Sequence, residues 1–373
     1  MGNLPAVFLE AVQVFNVVLT QLCYRQDGMS SPLLNPRLTL PTAPAPQEKG
    51  PAVSLRFPAR LAGQKDSKIG DVTFRTLVIA CALSVFVIVG LIVFELFKQS
   101  HLALNAFGWQ FFVRQNWDPV SGEFGALPFI YGTLVSSFLA LVIAVPLAVG
   151  VAVFTTEMCP RWLRAPLSFT VELLAAIPSV IYGLWGIFVL APLLRNYVQP
   201  WLAHHLGWTG LFQGPAYGVG MLAAGVILAI MIVPIITSIS REVMISVPQH
   251  QREAALALGA TRWEAIRVGV LRNARIGIVG AVILGLGRAL GETMAVTMLI
   301  GNRPEIAKSL FAPGYTLASV IANEFSEATY DLYVSALVEI GLALFIVTLI
   351  VNGLARLMVW SITRGIAARV HAQ

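Results

Sequence analysis

Charged residues are scarce in this sequence. Aspartate, glutamate, lysine and arginine make up 12% of its 373 residues, whereas 57% are hydrophobic and the mean hydropathy is +0.77. A soluble domain carries about 25% charged residues, which keep its surface solvated. The shortage excludes an ordinary soluble domain and predicts a protein with several membrane spans.

Cysteine is scarce as well. The three cysteines, Cys23, Cys81 and Cys159, are scattered, so they provide neither a disulfide framework nor the spacing of a metal site. The net charge of +6 comes from basic residues that lie beside hydrophobic segments rather than in a soluble patch. This distribution favours contact with membrane lipid and argues against nucleic acid as a partner.

Motifs of nucleotide-binding and hydrolytic enzymes are absent. No G-x-x-x-x-G-K-[ST] loop is present to bind nucleotide phosphates, and neither H-E-x-x-H nor G-x-S-x-G occurs. The string GLGRALGE is similar to a dinucleotide-binding loop, but it lies within a hydrophobic segment and follows no strand. The sequence therefore predicts a protein that is not an enzyme and holds no cofactor. If ATP drives its function, another chain must hydrolyse the ATP.

Long hydrophobic segments are abundant. A hydrocarbon core about 30 Å thick requires about 20 helical residues, and backbone groups in lipid must pair within the helix. Six segments reach that length, at residues 77–97, 129–154, 167–191, 217–240, 277–300 and 333–360. The sequence therefore predicts an all-α polytopic membrane protein with six transmembrane helices, in which residues 71–373 form the membrane domain.

The first 70 residues have a different composition. The string LTLPTAPAPQEKGPA is rich in proline and alanine and lacks helical periodicity, which predicts a disordered or weakly structured cytoplasmic extension at residues 1–70. The hydrophobic string AVFLEAVQVFNVVLTQL, which precedes it, is marginal for a span. It is either a peripheral amphipathic helix or part of an upstream extension of a frame that starts at Met29.

Lysine and arginine indicate the orientation of the spans. They cluster in residues 51–76, 161–164 and 241–276 and in the tail at residues 364–369, whereas the alternate loops hold one or two each. Loops rich in lysine and arginine face the cytoplasm. We therefore expect both termini and the loop at residues 241–276 to be cytoplasmic.

The loop at residues 241–276 has the signals of two short helices. Pro248 can start the first, and Gly259 permits the left-handed residue that ends it. Thr261 and Glu264 form a capping box for the second. The surface of the first helix is unusually apolar and small, which fits either docking into a cleft of another protein or lying on lipid.

Two opposite charges lie in the fifth hydrophobic segment. Arg288 is close to the midpoint of residues 277–300, and Glu292 follows four residues later, which would place both on one helical face. A charge at the centre of a membrane helix costs about 2.5–3.5 kcal/mol. Two interpretations explain the pair. It is either a buried ion pair that fixes helix register or an anion site in a passage, because a guanidinium fork fits tetrahedral oxyanions.

Two further glutamates lie in hydrophobic segments. Glu172 falls near the cytoplasmic end of the third segment, where a structural role at the nearby proline or a contact with the loop is expected. Glu339 lies in the outer part of the sixth segment and could either reach the interface or pair with another subunit. We expect four tryptophans to belong to an outer aromatic belt: Trp109, Trp117, Trp201 and Trp208.

The string EAALALG resembles the EAA loop of membrane subunits of ATP-binding-cassette (ABC) importers. That loop docks into the ATPase subunit of these importers. The resemblance implies that four residues couple transport to the ATPase: Glu253, Ala254, Ala255 and Gly259.

Longer strings resemble one family of such permeases, the C-type subunit of phosphate-specific ABC importers. They are FGALPFIYGTL, ELLAAIPSVIYGLWG, GRALGETMAVTMLIGN and ASVIANEF, within a resemblance that covers roughly residues 70–365. The resemblance implies a type I ABC importer permease fold, with Arg288 and Glu292 in the phosphate pathway. It also implies four partners: a second homologous permease subunit, two ATPase subunits that bind ATP and magnesium, and a periplasmic phosphate-binding protein.

The expected function is therefore ATP-driven transport of inorganic phosphate across the cytoplasmic (inner) membrane. Three alternatives remain open from the sequence. The substrate could be another oxyanion, such as sulfate or molybdate, or the chain could be a structural adaptor. It could also be a proton-coupled anion carrier, although such carriers often contain inverted repeats and none is visible here.

Overall fold

The computed structural model describes residues 68–370 of the chain and the side chains of residues 72–360. Within that part, secondary structure is helical apart from one isolated bridge between Asp118 and Glu123. Six helical segments have the length and apolar composition needed to cross a membrane: Val72–Gln99, Leu127–Met158, Ser179–Thr209, Met221–Ile245, Arg262–Leu290 and Asp331–Trp360. The predicted all-α architecture with six spans is confirmed. Most of the extension predicted at residues 1–70 lies outside the described residues.

The described residues divide into two compact units, residues 68–90 and residues 91–370. The first contains the beginning of helix α1 (Lys68–Gln99). The second contains the end of α1 and the later helices, which are α2 (His101–Phe107), α3 (Leu127–Val153), α4 (Arg161–Ala176), α5 (Ser179–Trp185), α6 (Ala191–Leu193), α7 (Gln199–Leu206), α8 (Met221–Ile245), α9 (Gln249–Ala257), α10 (Arg262–Ala265), α11 (Arg272–Leu290), α12 (Met294–Leu299), α13 (Leu317–Glu324) and α14 (Asp331–Val370).

Short turns of tighter or wider helix extend several of these elements. A 3₁₀ turn follows α2 and another follows α7, at Gly108–Phe112 and Gly207–Thr209. Wider π turns continue or join helices at Phe154–Met158, Gly186–Leu190, Leu194–Val198 and Ile266–Leu271. The third candidate span is therefore one nearly continuous helical rod that begins with α5, and the fifth begins with α10.

Small residues bring the central helices of the second unit close together. Three alanines, spaced four residues apart on α3, are fully buried in a cluster with α8: Ala140, Ala144 and Ala148. A side chain at Gly225 of α8 would collide with Leu139, whose Cδ2 lies 2.5 Å from the position a Cβ would take. In a membrane, small residues permit such close packing, and the gain is van der Waals contact.

Helix α11 approaches α8 in the same way. A Cβ at Gly277 would lie 2.4 Å from Val243, and a Cβ at Gly285 would lie 2.8 Å from Ile236. Two glycines eight residues apart thus form the face of α11 that contacts α8. Helix α8 is therefore packed between α3 and α11, and it supports the helix that carries Arg288.

An aromatic cluster joins the loop before α3 to α13 and α14. The ring of Trp117 lies 4.8 Å from that of Phe124 and 5.0 Å from that of Phe129, both edge to face. Glu324 accepts hydrogen bonds from Trp117 Nε1 at 2.8 Å and from the Tyr333 hydroxyl at 2.7 Å. Trp117 is therefore buried, and its predicted place in an aromatic belt is wrong. The other three predicted belt tryptophans are exposed: Trp109, Trp201 and Trp208.

Two of the predicted spans are interrupted in the structure. The span predicted at residues 167–191 is wrong, because α4 ends at Ala176 and α5 begins only after Pro178. A residue before proline is forced away from the helical region, and Ile177 is extended, with ψ of 129°. The continuous span predicted at residues 277–300 is also wrong, since α11 ends at Leu290 and α12 begins at Met294.

Candidate functional site

Tyr182 forms a hydrogen bond across the first interruption, which lies between α4 and α5. Because Pro178 has no N–H, the carbonyl of Leu174 lacks its usual helical donor. The amide of Ile177 reaches that carbonyl at 3.4 Å, and the hydroxyl of Tyr182 donates to it at 2.8 Å. Tyr182 therefore holds α4 and α5 together across the break, and a backbone acceptor that would otherwise be costly in lipid is satisfied.

The second interruption contains Glu292. This residue lies between α11 and α12 and is 6% exposed. Its Oε1 atom accepts a long contact of 3.5 Å from the backbone N–H of Ala295 in the first turn of α12. Thr293 donates from its hydroxyl to the carbonyl of Gly291 at 3.3 Å. The polar side chains of the break thus partly replace the backbone bonds that a continuous helix would have made.

The two short helices that follow the breaks pack against each other. A Cβ at Gly183 of α5 would lie 2.5 Å from Met298 Sδ and 3.2 Å from the Cα of Ala295, both on α12. A Cβ at Gly186, just after α5, would lie 2.4 Å from a methyl group of Leu299. The backbones of α5 and α12 therefore approach closely just after the two interruptions.

Arg288 lies in the last turn of α11, two residues before the break. Its side chain is partly exposed, but its Nε is buried and has no hydrogen-bond partner among residues 72–360. Tyr182 lies within electrostatic range of the Arg288 guanidinium. A buried donor without a partner is unfavourable unless water or a ligand pairs with it. The Nε of Arg288 therefore retains hydrogen-bonding capacity that no described residue uses.

The interpretation of Arg288 and Glu292 as an ion pair on one helical face is wrong. The helix ends at Leu290, so Glu292 is not one turn further along the same face. No ion pair joins these two side chains in the part of the chain that the structure describes. The structure does bring both residues to one interruption, next to the junction of α5 and α12.

The loop between α8 and α11 folds as its sequence predicts. Helix α9 follows Pro248, and Gly259 has φ of +83°, the left-handed conformation expected after the helix end. The hydroxyl oxygen of Thr261 accepts from the backbone N–H of Glu264 at 3.3 Å, and the carboxylate of Glu264 accepts from the backbone N–H of Thr261 at 2.8 Å, which completes a capping box. Three of the predicted coupling residues are exposed, namely Glu253, Ala254 and Gly259, and the fourth, Ala255, is partly exposed.

Two ion pairs at this end of the protein could not be predicted from the sequence. Arg241 Nη2 lies 3.3 Å from Glu172 Oε1, and Arg252 Nη2 lies 2.9 Å from Glu157 Oε1. Arg241 also donates to Ser168, so Glu172 connects α4 with Arg241, the first residue of the predicted loop at residues 241–276, which the structure places in the last turns of α8. The partners are 69 and 95 residues apart, and no local pattern marks them.

A glutamate of the sixth span is fully buried. Glu339 is 0% exposed, and neither carboxylate oxygen has a hydrogen-bond partner among the described residues. The expectation that this side chain could reach the membrane interface is therefore wrong.

Six helical segments able to cross a membrane, two of the predicted spans interrupted, and an exposed loop after the fourth segment are features typical of a transport permease. The family model described as "Binding-protein-dependent transport system inner membrane component" matches residues 144–364.

Curated relatives named "Phosphate transport system permease protein PstC" match most of the chain. The protein of Mesorhizobium japonicum is 50% identical over 308 residues, which are 82% of this chain and 93% of the relative. That of Haemophilus influenzae is 49% identical over 271 residues, 72% of this chain and 86% of the relative. The "PstC 2" protein of Mycobacterium bovis is 44% identical over 292 residues, 76% of this chain and 90% of the relative.

The chain therefore belongs to the PstC family of phosphate transport system permease proteins. It is a multi-pass inner-membrane protein with the type I ABC importer permease fold, as its sequence predicts.

Proposed function

We propose that this chain is the membrane permease subunit of an ATP-driven importer that moves inorganic phosphate across the cytoplasmic membrane. The names of the relatives support phosphate as the substrate. The observation that carries the proposal is Arg288, whose buried Nε has no partner among the described side chains and lies beside two interrupted helices. In transporters, interrupted helices typically form substrate sites, because their exposed backbone ends and nearby side chains bind ions.

Arg288 makes transient hydrogen bonds with the phosphate oxygens as the anion passes. A guanidinium presents parallel N–H groups that fit two oxygens of a tetrahedral oxyanion. Glu292 lies at the same break and is nearly buried. A carboxylate beside the pathway favours an anion that still carries a proton to donate, and phosphate near neutral pH is such an anion. It also limits how tightly Arg288 retains the anion, which keeps release fast.

The outer face of α9 docks into the ATPase. Glu253, Ala254 and Gly259 are exposed there, and Leu256 and Leu258 add apolar surface with exposed fractions of 48% and 90%. Small and apolar side chains on a short helix fit a cleft of a partner protein. The loop and both chain termini are cytoplasmic, which follows from the clustering of lysine and arginine.

The complete importer contains this chain, a second homologous permease, two ATPase subunits and a periplasmic phosphate-binding protein. ATP and magnesium bind to the ATPase subunits. Transport proceeds by alternating access, in which ATP-driven closure of the ATPase pair moves the docked loops and opens the pathway toward the binding protein.

The test is uptake of labelled inorganic phosphate by proteoliposomes that contain the complete complex with binding protein outside. Uptake should require ATP inside, should persist when a protonophore removes the proton gradient, and should resist excess sulfate or molybdate. Uptake that follows the proton gradient without ATP would instead identify a secondary carrier. Strong competition by sulfate or molybdate would indicate another oxyanion as the substrate.

A further inference from the structure

Arg252 lies in the first half of α9, directly before the exposed Glu253. Its side chain turns the other way, toward the membrane helices, and is only 23% exposed. The carboxylate that it meets belongs to Glu157, in the π turn that ends the second span, and is 13% exposed. The docking helix therefore has an outer face for a partner and an inner face that bonds to this chain.

The guanidinium of Arg252 makes four hydrogen bonds. Its Nη2 and Nε donate to Glu157 Oε1 at 2.9 and 3.2 Å. Its Nη1 donates to the carbonyl of Val247 at 2.9 Å, and Nη2 also donates to the carbonyl of Met244 at 3.0 Å. Met244 lies in the last turn of α8 and Val247 two residues beyond its end, where the helix dipole favours a positive charge.

A cluster of buried hydrophobic side chains lies next to these bonds. Met244 is 0% exposed and Val247 7% exposed, and both pack with Ala152 of the second span and Val270 of the π turn before α11. Burial on one side keeps water from competing fully for the guanidinium, which strengthens charged hydrogen bonds.

The start of the fifth span is attached to the same helix. Asn273 of α11 donates to Gln251 Oε1 at 2.5 Å and to the carbonyl of Gly269 at 2.7 Å. A Cβ at Gly269 would lie 3.1 Å from the carbonyl oxygen of Gln251, so the two backbones nearly touch. Helix α9 is thus bonded to the second, fourth and fifth spans, and α11 continues from here to Arg288.

We propose that Arg252 is the positioning residue that transmits movement of the docking helix to the second and fourth spans. It fixes α9, the π turn with Glu157 and the end of α8 to one another, so that the ATPase moves them as one body and the loop does not absorb the displacement. The inference rests on the proposed function for its input, the ATPase, and for its output, phosphate movement.

The chemistry requires an arginine at this position. The four bonds leave the guanidinium in three directions, toward Glu157, Val247 and Met244. A lysine ammonium has the same charge but is a single point with three donors, so it cannot match this planar arrangement. Arg252→Lys should therefore preserve part of the transmission, and Arg252→Gln should preserve little of it.

The experiment measures phosphate imported per ATP hydrolysed by the complete complex in proteoliposomes, with inorganic phosphate and the binding protein outside. In Arg252→Gln this ratio should fall about tenfold, a typical coupling effect between two sites. Glu157→Gln should lower it less, because the contacts to both carbonyls remain. Arg262→Gln is the matched control, because Arg262 is an exposed arginine of the same loop, and its ratio should stay within about twofold of wild type.

Two outcomes would overturn the proposal. In the first, Arg252→Gln lowers uptake and ATP hydrolysis together and leaves their ratio unchanged, which would assign Arg252 to stability or docking alone. In the second, Arg262→Gln lowers the ratio as much as Arg252→Gln, which would assign the effect to the net charge of the loop.

A second measurement separates this proposal from the proposed function. Spin labels at His250→Cys on α9 and Met158→Cys beside Glu157, both exposed positions, report the distance across the contact in the complete complex. The three native cysteines are first replaced by alanine. The distance distribution should be narrow in the otherwise native complex and broad in Arg252→Gln, and equal widths would refute the contact as a rigid link. This readout holds even if the complex fails to import phosphate, an outcome that would refute only the proposed function.

Discussion

Two arginines of this protein use their guanidinium groups in opposite ways. Arg252 donates four hydrogen bonds to Glu157, Val247 and Met244, so the protein itself satisfies most of its donors. Arg288 has a buried Nε without a partner in the described part of the chain. The first arginine lies at the end of the membrane helices, and the second lies in the last turn of an interrupted helix.

The difference shows how the same side chain serves two tasks. A guanidinium whose bonds all go to its own chain fixes elements together, and it has little capacity left for a ligand. An unsatisfied buried donor costs about 1–3 kcal/mol, so a partner for the Nε of Arg288 would be favourable. Our two proposals follow this difference, with Arg252 in transmission and Arg288 in the phosphate pathway.

The largest effect is expected at Arg288. Arg288→Gln removes the charge and the fork, and loss of charged hydrogen bonds worth about 1.5–3 kcal/mol each should lower phosphate uptake by roughly 100-fold. Arg288→Lys keeps the charge, so it should retain a measurable fraction. Initial rates of labelled phosphate uptake are measured at equal amounts of assembled complex, and ATPase copurification should be normal. Uptake within twofold of wild type in Arg288→Gln would remove this residue from the pathway.

The next effect is expected on the outer face of α9. Glu253 is exposed and accepts a hydrogen bond from Gln249 at 2.9 Å. Glu253→Lys reverses a charge at the docking surface, and ATPase copurification and uptake should both fall about tenfold. Glu253→Gln keeps an acceptor for Gln249 and should have a smaller effect. Normal copurification of the Glu253→Lys protein would contradict docking through this face.

The contrast between these regions also shows what the sequence could predict. The loop around α9 was predicted well, because Pro248, Gly259 and the pair of Thr261 and Glu264 act on their immediate neighbours. The number of spans follows from length and hydrophobicity alone, whereas the bounds of the third and fifth spans do not. Features that depend only on neighbouring residues in the sequence can therefore be predicted reliably.

The interruptions could not be located from the sequence, although prolines mark several spans. Pro146 and Pro234 lie within continuous helices, whereas Pro178 begins a new one. At Pro178 the hydroxyl of Tyr182 donates to the carbonyl of Leu174 across the break, a contact that depends on how α5 is placed and that no local pattern marks. The interpretation of Arg288 and Glu292 as an ion pair is wrong because it assumes a regular helix through Gly291, whereas α11 ends at Leu290.

A moderate effect is expected at Glu292. Glu292→Ala removes the acceptor for the N–H of Ala295 and should lower the free energy of unfolding by about 0.5–1.5 kcal/mol, as loss of a single hydrogen bond does. Glu292→Gln keeps an acceptor oxygen and should melt near the wild-type temperature, yet its uptake should fall several-fold because the carboxylate charge is gone. Thermal melting of the purified complex and uptake rates separate the two roles. Wild-type uptake in Glu292→Gln would restrict the role of Glu292 to its contact with Ala295.

The smallest effect is expected where α5 meets α12. Gly183→Ala places a Cβ 2.5 Å from Met298 Sδ and 3.2 Å from the Cα of Ala295, so Met298 must move and the backbones must separate slightly. Overpacking of this kind costs about 1–3 kcal/mol, and we expect a lower melting temperature and about a twofold loss of uptake. Gly280→Ala is the control, because no described atom lies within 4 Å of the added carbon and alanine favours a helix. If both variants melt and transport alike, close contact between the two short helices does not support the site around Arg288.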